Sequence, residues 1–165
     1  MGRVLVYLSL FLSKFDKGTV KIMSNLSRFL KKNKIQKENT TYPATKSLLD
    51  EEGNPLLWEI KPLTTKENED IREACTIEVP VKGKPNMFRP KLNTSNYIAK
   101  MIVASVVEPN LYNAELQDSY GVKTPEDLIK EMIDDPGEYN EFATFIQKFN
   151  GFTTSLEDKV EEAKN

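Results

Sequence analysis

There is no histidine anywhere in this chain of 165 residues. That absence removes the commonest general base, the Ser-His and Cys-His nucleophile pairs, and most zinc sites together. The one cysteine, Cys75, has no partner for an intramolecular disulfide and suits a reducing cytosol. It falls at the end of a capped helix, near neither a histidine nor a clear cationic cluster, so a buried, inert thiol is the expected role. Seven glycines are too few and too scattered for a phosphate-cradling loop, and neither the Walker A motif nor the dinucleotide fingerprint occurs. The apolar run from Val4 to Leu12 is nine residues long, whereas a bilayer takes ~20. No small-x-small cleavage site follows it. These absences argue against an ordinary enzyme, a bound cofactor or metal, export and membrane insertion.

What is present suits one domain with a real core. Hydrophobic residues make up 39% and charged residues 29%, the polar end of the globular range. Residues 1–22 are set aside as a leader translated from an over-extended reading frame, or else an irregular arm or added strand. Met23 is the natural start, with Ser24 or Asn25 as a helix cap, and Lys17-Gly18 is encodable as a purine-rich ribosome-binding stretch. Residues 23–41 read as a basic helix (Leu26, Phe29, Leu30) ending near Asn33 and a polar linker from Lys34 to Thr41. Residues 42–151 then form a single compact domain, and 152–165 a charged helix or tail.

Within the domain, Ala44 to Leu49 and Leu56 to Leu63 are predicted to be a hairpin around the 50–55 turn, with Leu56, Trp58 and Ile60 alternating inward. Thr64 with Glu67 has capping-box spacing and opens a helix to about Ala74. Thr76 to Lys82 and Met87 to Lys91 make a second, edge-like pair in which Pro80 and Pro90 are expected to remove ladder donors. Asn93 or Thr94 caps a nearly all-apolar helix from Tyr97 through Val107. Thr124, Pro125, Glu126 and Asp127 start the next. Asp134-Asp135-Pro136-Gly137 reads as a break before a last helix. The fold class is therefore α+β: a small antiparallel sheet, then a mainly helical C-terminal half.

The net charge of −2 hides an asymmetry, since residues 1–46 carry +8 and residues 47–165 carry −10. The cluster Arg28, Lys31, Lys32, Lys34 and Lys37 has the density that phosphate neutralisation needs. With Phe29 as its only aromatic and no helix-turn-helix, it reads as a solvated arm, or as a contact for an acidic protein surface, before it reads as a nucleic-acid site. The carboxylate pairs Glu51/Glu52, Asp134/Asp135 and Glu161/Glu162 fall in turns or exposed helix and read as solvated faces. Trp58 reads as core. Phe142, Phe145, Phe149 and Phe152 put four phenylalanines in eleven residues, with Ile146 between them and Leu156 continuing the stripe. Packing against the Tyr97–Val107 helix accounts for part of this. The functional reading is a groove or face for an apolar helix of another protein.

The runs Tyr42-Pro43-Ala44-Thr45-Lys46, Asp50 to Pro55, Trp58 to Thr64 and Glu69 to Thr76 together resemble the XkdN-like tail assembly chaperones of PBSX-type prophages and of siphophages or myophages of Gram-positive bacteria. Asn96 to Lys100, Val106 to Leu111 and Tyr120 to Leu128 are similar to the same family. The resemblance spans about Met23 to Gly151. It implies a non-enzymatic protein of the host cytoplasm, absent from the mature virion. Such a protein coats the apolar, helical tape-measure protein, keeps it soluble, helps recruit tail-tube subunits and self-associates. Chaperones of this class are often made in two lengths, and Ala163-Lys164-Asn165 is encodable as a slippery heptamer. The alternatives are a structural tail or baseplate component and a small nucleic-acid-binding regulator.

Overall fold

The computed structural model describes residues 26–152, and the chain divides into two units, 1–37 and 38–165. In the first, residues 26–28 are helical and Lys31–Asn33 form a 3₁₀ turn, with Asn33 Nδ2 donating to the Ser27 carbonyl at 2.5 Å. Arg28, Lys31, Lys32, Lys34 and Lys37 are all exposed there, as are Leu26, Phe29, Leu30 and Ile35. Residues 1–25, including Met23, Ser24 and Asn25, lie outside the described residues, as do 153–165.

The second unit is built on a three-stranded antiparallel sheet. Strand β1 (Thr40–Tyr42) is two β-branched residues and an aromatic, and Pro43 holds Tyr42 extended. It pairs with β2 (Trp58–Ile60) in the register Thr40↔Ile60, Thr41↔Glu59, Tyr42↔Trp58. Trp58 and Ile60 are buried on one face of β2, as its alternation predicts. On its other side lies β5 (Val106–Glu108), with a register irregularity between Glu59 and Ile60.

Two expectations are corrected here. Ala44–Leu49 is not the partner of β2. Around the 50–55 turn only a single bridge, Leu49↔Pro55, survives. The Asp50 carboxylate organises that turn by accepting from Asn54 N at 2.8 Å and Glu52 N at 2.9 Å, which lowers its pKa through the Asn54 backbone bond first. The ladder goes instead to Thr40 and Thr41, at the end of the stretch read as a linker. The apolar run through Val107 is also not one helix. The Ser105 carbonyl accepts from Lys61 N at 2.8 Å, and Val106-Val107 turns out into β5 to complete the sheet.

Helix α1 (Thr65–Ala74) carries the predicted capping box: Thr64 Oγ1 accepts from Glu67 N, and Glu67 accepts from Thr64 N at 2.8 Å. The Lys61 ammonium, 2.6 Å away, and that Thr64 backbone N–H hold the Glu67 carboxyl down at about 2, from 4.5. A carboxyl with a depressed folded value contributes stability above its unfolded pKa and loses it as pH falls through the folded one. The contribution is therefore complete above about 4.5 and lost on the way down to about 2. Both side chains are more than a third exposed, so solvent screening leaves about 1 kcal/mol at most. In urea unfolding, Glu67→Gln is expected to be less stable than the parent at neutral pH, with the gap closing as pH falls through that window.

Helix α2 (Thr94–Ser105), capped by Asn93, runs through the core with Tyr97, Ile98, Ala99, Met101, Ile102 and Val103 buried. Lys100 Nζ meets Glu126 Oε1 at 2.7 Å and ties α2 to the next long helix. A short helix α3 (Ala114–Ser119), absent from the sequence reading, is capped by Asn113. Helix α4 (Pro125–Met132) starts on Thr124 as predicted and buries Leu128, Ile129 and Met132. Helix α5 (Pro136–Phe149) starts earlier than expected. Asp135, read as part of a break, is its N-cap and accepts from Glu138 N at 2.9 Å, with Pro136 in the first turn.

Strands β3 (Thr76–Pro80) and β4 (Phe88–Leu92) form a separate two-stranded ribbon in the register Thr76↔Leu92 through Pro80↔Phe88. Asn93 N donates to Cys75 O at 2.9 Å and Val81 N to Met87 O at 2.8 Å. These bonds place the hydrogen-bonded pairs at the odd-numbered positions. Pro80 and Pro90 therefore sit where an N–H would face outward, and contrary to expectation they remove no ladder donor. The secondary structure is α+β, with the helical mass in the C-terminal half.

Candidate functional site

The phenylalanine stripe lies on α5, and the structure divides it. Phe142 and Ile146 are 0% exposed. The Phe142 ring stacks on Tyr42 at 5.5 Å between centroids and meets Trp58 edge-on at 5.6 Å. These two residues are core and offer nothing to solvent. Phe145, Phe149 and Phe152 are half-buried and pack against the core edge. Phe145 stacks on Tyr42 at 4.1 Å and 22°, and on Phe149 at 5.9 Å and 9°. The outcome is a continuous row of rings, Tyr42, Phe145 and Phe149, on one side of α5. Leu156 lies outside the described residues.

Three residues that periodicity did not single out shape this face. Tyr42 supplies the first ring of the row from β1. Glu138, in the first turn of α5, accepts from Thr45 Oγ1 at 2.8 Å and from Lys46 N at 3.2 Å. Asn150, at the helix C-cap, accepts from Leu63 N at 2.7 Å through Oδ1 and donates to Ile146 O at 2.9 Å through Nδ2. Gly151, at φ +87, then closes the helix: its N–H reaches Lys148 O and the Phe152 N–H reaches Gln147 O. This pair of hydrogen bonds is the Schellman arrangement, which needs a left-handed residue at that point. An asparagine directly before a glycine at the end of an apolar stripe was the available signal for this end.

Beside the ring row is a shallow depression of about 450 Å³ lined by Tyr42, Asn140, Glu141, Thr144, Phe145 and Lys148. A second cleft, about 550 Å³, has an amide- and hydroxyl-rich wall that includes Asn93, Asn96, Tyr139, Asn140 and Gln147. Cys75 is buried, and its desolvation pushes the thiol pKa up, which suits an inert core sulfur. Burial likewise raises Tyr139 and Tyr97, and the Tyr97 hydroxyl donates to Asn68 Oδ1. Among the described residues no three His, Cys, Asp or Glu side chains are grouped to hold a metal. No helix among them is long and apolar enough to cross a membrane.

Comparison with known proteins decides what this arrangement belongs to. The family described as "Phage XkdN-like tail assembly chaperone protein, TAC" matches residues 26–164. The chain belongs to this family. As a tail assembly chaperone it is 28% identical over 141 residues to the phage-like element PBSX protein XkdN of Bacillus subtilis (strain 168), covering 86% of this chain and 94% of that one. It is 30% identical over 141 residues to the uncharacterized protein YqbN of the same strain, covering 86% and 93%. The crystal structure of YqbN superimposes with a TM-score of 0.64 at 24% identity, over 76% of this chaperone and 95% of that chain, and so shares its fold.

Proposed function

We propose that this tail assembly chaperone binds the apolar, helical tape-measure protein through the outer edge of α5, keeps it soluble and helps bring tail-tube subunits to it. The observation that carries the reading is the ring row Tyr42–Phe145–Phe149, with Phe152 also half-buried against the core, in a member of this family. A long partner with repeated apolar helical faces aggregates until it is covered. A face of stacked rings on a chain with net charge −2 offers it both contact and solubility. In this reading Phe142 and Ile146 support the surface from beneath, and only Phe145, Phe149 and Phe152 meet the partner. The protein acts without cofactor or catalysis, in the host cytoplasm, associates with further copies of itself, and leaves before the virion matures.

The test is co-expression with the tape-measure protein, followed by a solubility assay and pull-down. The expected result is a soluble tape measure that co-purifies, lost when Phe145→Asp and Phe149→Asp are combined in a chain whose thermal melt remains cooperative. Should the tape measure stay insoluble while this protein appears in purified tails by mass spectrometry, a structural tail or baseplate role replaces the chaperone mechanism.

A further inference from the structure

The β3–β4 ribbon has little cover. Ile77 is 49%, Met87 50% and Phe88 62% exposed, and no residue of either strand is fully buried. A two-stranded ribbon wetted on both faces is marginal in water. Its register sorts the side chains. Ile77, Val79 and Val81 form one rail, opposite Lys91, Arg89 and Met87 on the same face. Residues 76–92 carry four cations against one acid, whereas residues 38–165 as a whole carry net −10. That one acid, Glu78, lies on the other face of the ribbon. Among the described residues Lys82, Lys84, Arg89 and Lys91 make no ion pair within 4.0 Å.

We infer that this face is a second docking surface, separate from α5, for an amphipathic helix of another protein whose apolar stripe is flanked by Asp and Glu. Charge complementarity sets the sign: an apolar rail beside an unneutralised basic rail takes an apolar, acidic partner. Helix is favoured over strand because Pro80 and Pro90 take the outward donors from both ribbon edges, so strand addition finds a broken template. The length fits. Ile77 to Val81 spans about 13 Å at ~3.3 Å per residue, close to the roughly 10 Å between i and i+7 on a helix. A second copy does not supply such a helix from its described residues: its exposed apolar residues Leu26, Phe29 and Leu30 stand among Arg28, Lys31 and Lys32, the same sign as the ribbon's basic rail. In residues 38–152 every large apolar side chain noted as exposed lies on a loop, a turn or a strand, namely Leu49, Leu56, Leu57, Val107, Tyr112 and the ribbon's own residues.

The test uses the full chain and a fluorescent synthetic helical peptide with leucines at i, i+3, i+4 and i+7 flanked by glutamates, read by anisotropy at low and high salt. Two control peptides carry lysine for glutamate, or the same composition scrambled. The acidic amphipathic peptide is expected to bind about tenfold more tightly than either control. Ile77→Asp should abolish binding, and Arg89→Glu with Lys91→Glu should reverse the preference toward the lysine peptide. Phe145→Asp with Phe149→Asp should leave it unchanged, which separates this surface from the one on α5. All the ribbon positions substituted are exposed, and circular dichroism melts check that the variants fold. Equal binding of the scrambled peptide, indifference to Ile77→Asp, or loss in the α5 variant overturns the inference. So does a chain that self-associates in sedimentation and is dissociated by the ribbon substitutions, since the occupant is then a second copy.

Discussion

Phe142→Ala is expected to lower the unfolding free energy by about 3–5 kcal/mol, a large fraction of the roughly 5–15 kcal/mol that a domain has to lose. The ring is 0% exposed and sits where three elements meet: it stacks on Tyr42 of β1, abuts Trp58 of β2 edge-on, and projects from α5. Truncation forfeits the transfer free energy of the ring and leaves a cavity whose walls are two other aromatics that cannot collapse into it. Phe149→Ala removes the same atoms from a half-buried place and should cost roughly 1 kcal/mol, in proportion to the smaller area it covers. Urea denaturation of the pair measures the contrast. Equal losses would mean that the stripe is packed evenly and offers no open side.

The second large effect is expected at a residue with no apolar content. Glu138→Ala should cost about 2 kcal/mol, because it strips the acceptor from a buried hydroxyl that has little access to water. Thr45 is 2% exposed and donates to Glu138 Oε2 at 2.8 Å, while Lys46 N donates to the same oxygen at 3.2 Å. The Lys46 ammonium lies 3.8 Å from Oε1 but is itself largely solvated, so the ionic part adds little. Glu138→Gln keeps one carbonyl oxygen and should lose less than half as much. A double-mutant cycle with Thr45→Val isolates the bond: a coupling near zero would show that Glu138 acts only through its place in the first turn of α5.

What could be read from the chain alone was local. Thr64, Asn93 and Thr124 announce helices through caps that depend on residues three positions away, and all three cap as expected. The β3–β4 ribbon was legible for the same reason, its turn and its alternation lying within one stretch. The sheet was not, because the partners of β2 come from either side of it, sixteen residues before and about fifty after. Val106-Val107 is as good a helix end as a strand, and only the vacant side of β2 decides between them. Asp135-Pro136 has the same ambiguity, since aspartate before proline stops one element as readily as it caps the next. For the site, the spacing of Phe142, Phe145 and Phe149 placed them on one side of a helix. Which of them faces inward depends on where Tyr42 arrives, and the order of residues along α5 holds no information about that.

Helix α5 is bolted down at both ends, by Glu138 to the segment after β1 and by Asn150 to the segment after β2. A rod fastened twice has lost its freedom to roll. The azimuth of Phe145 and Phe149 is set when the chain folds, so that under the proposed docking a visiting helix would find teeth already cut. The conformational search would then fall to the visitor, which would have to bring its own stripe into phase, and the ordering cost of such a complex would be borne on that side. Repeats along one long partner that share a common pitch would each engage such a fixed comb in the same way. A partner of the wrong pitch would touch one tooth and slide off.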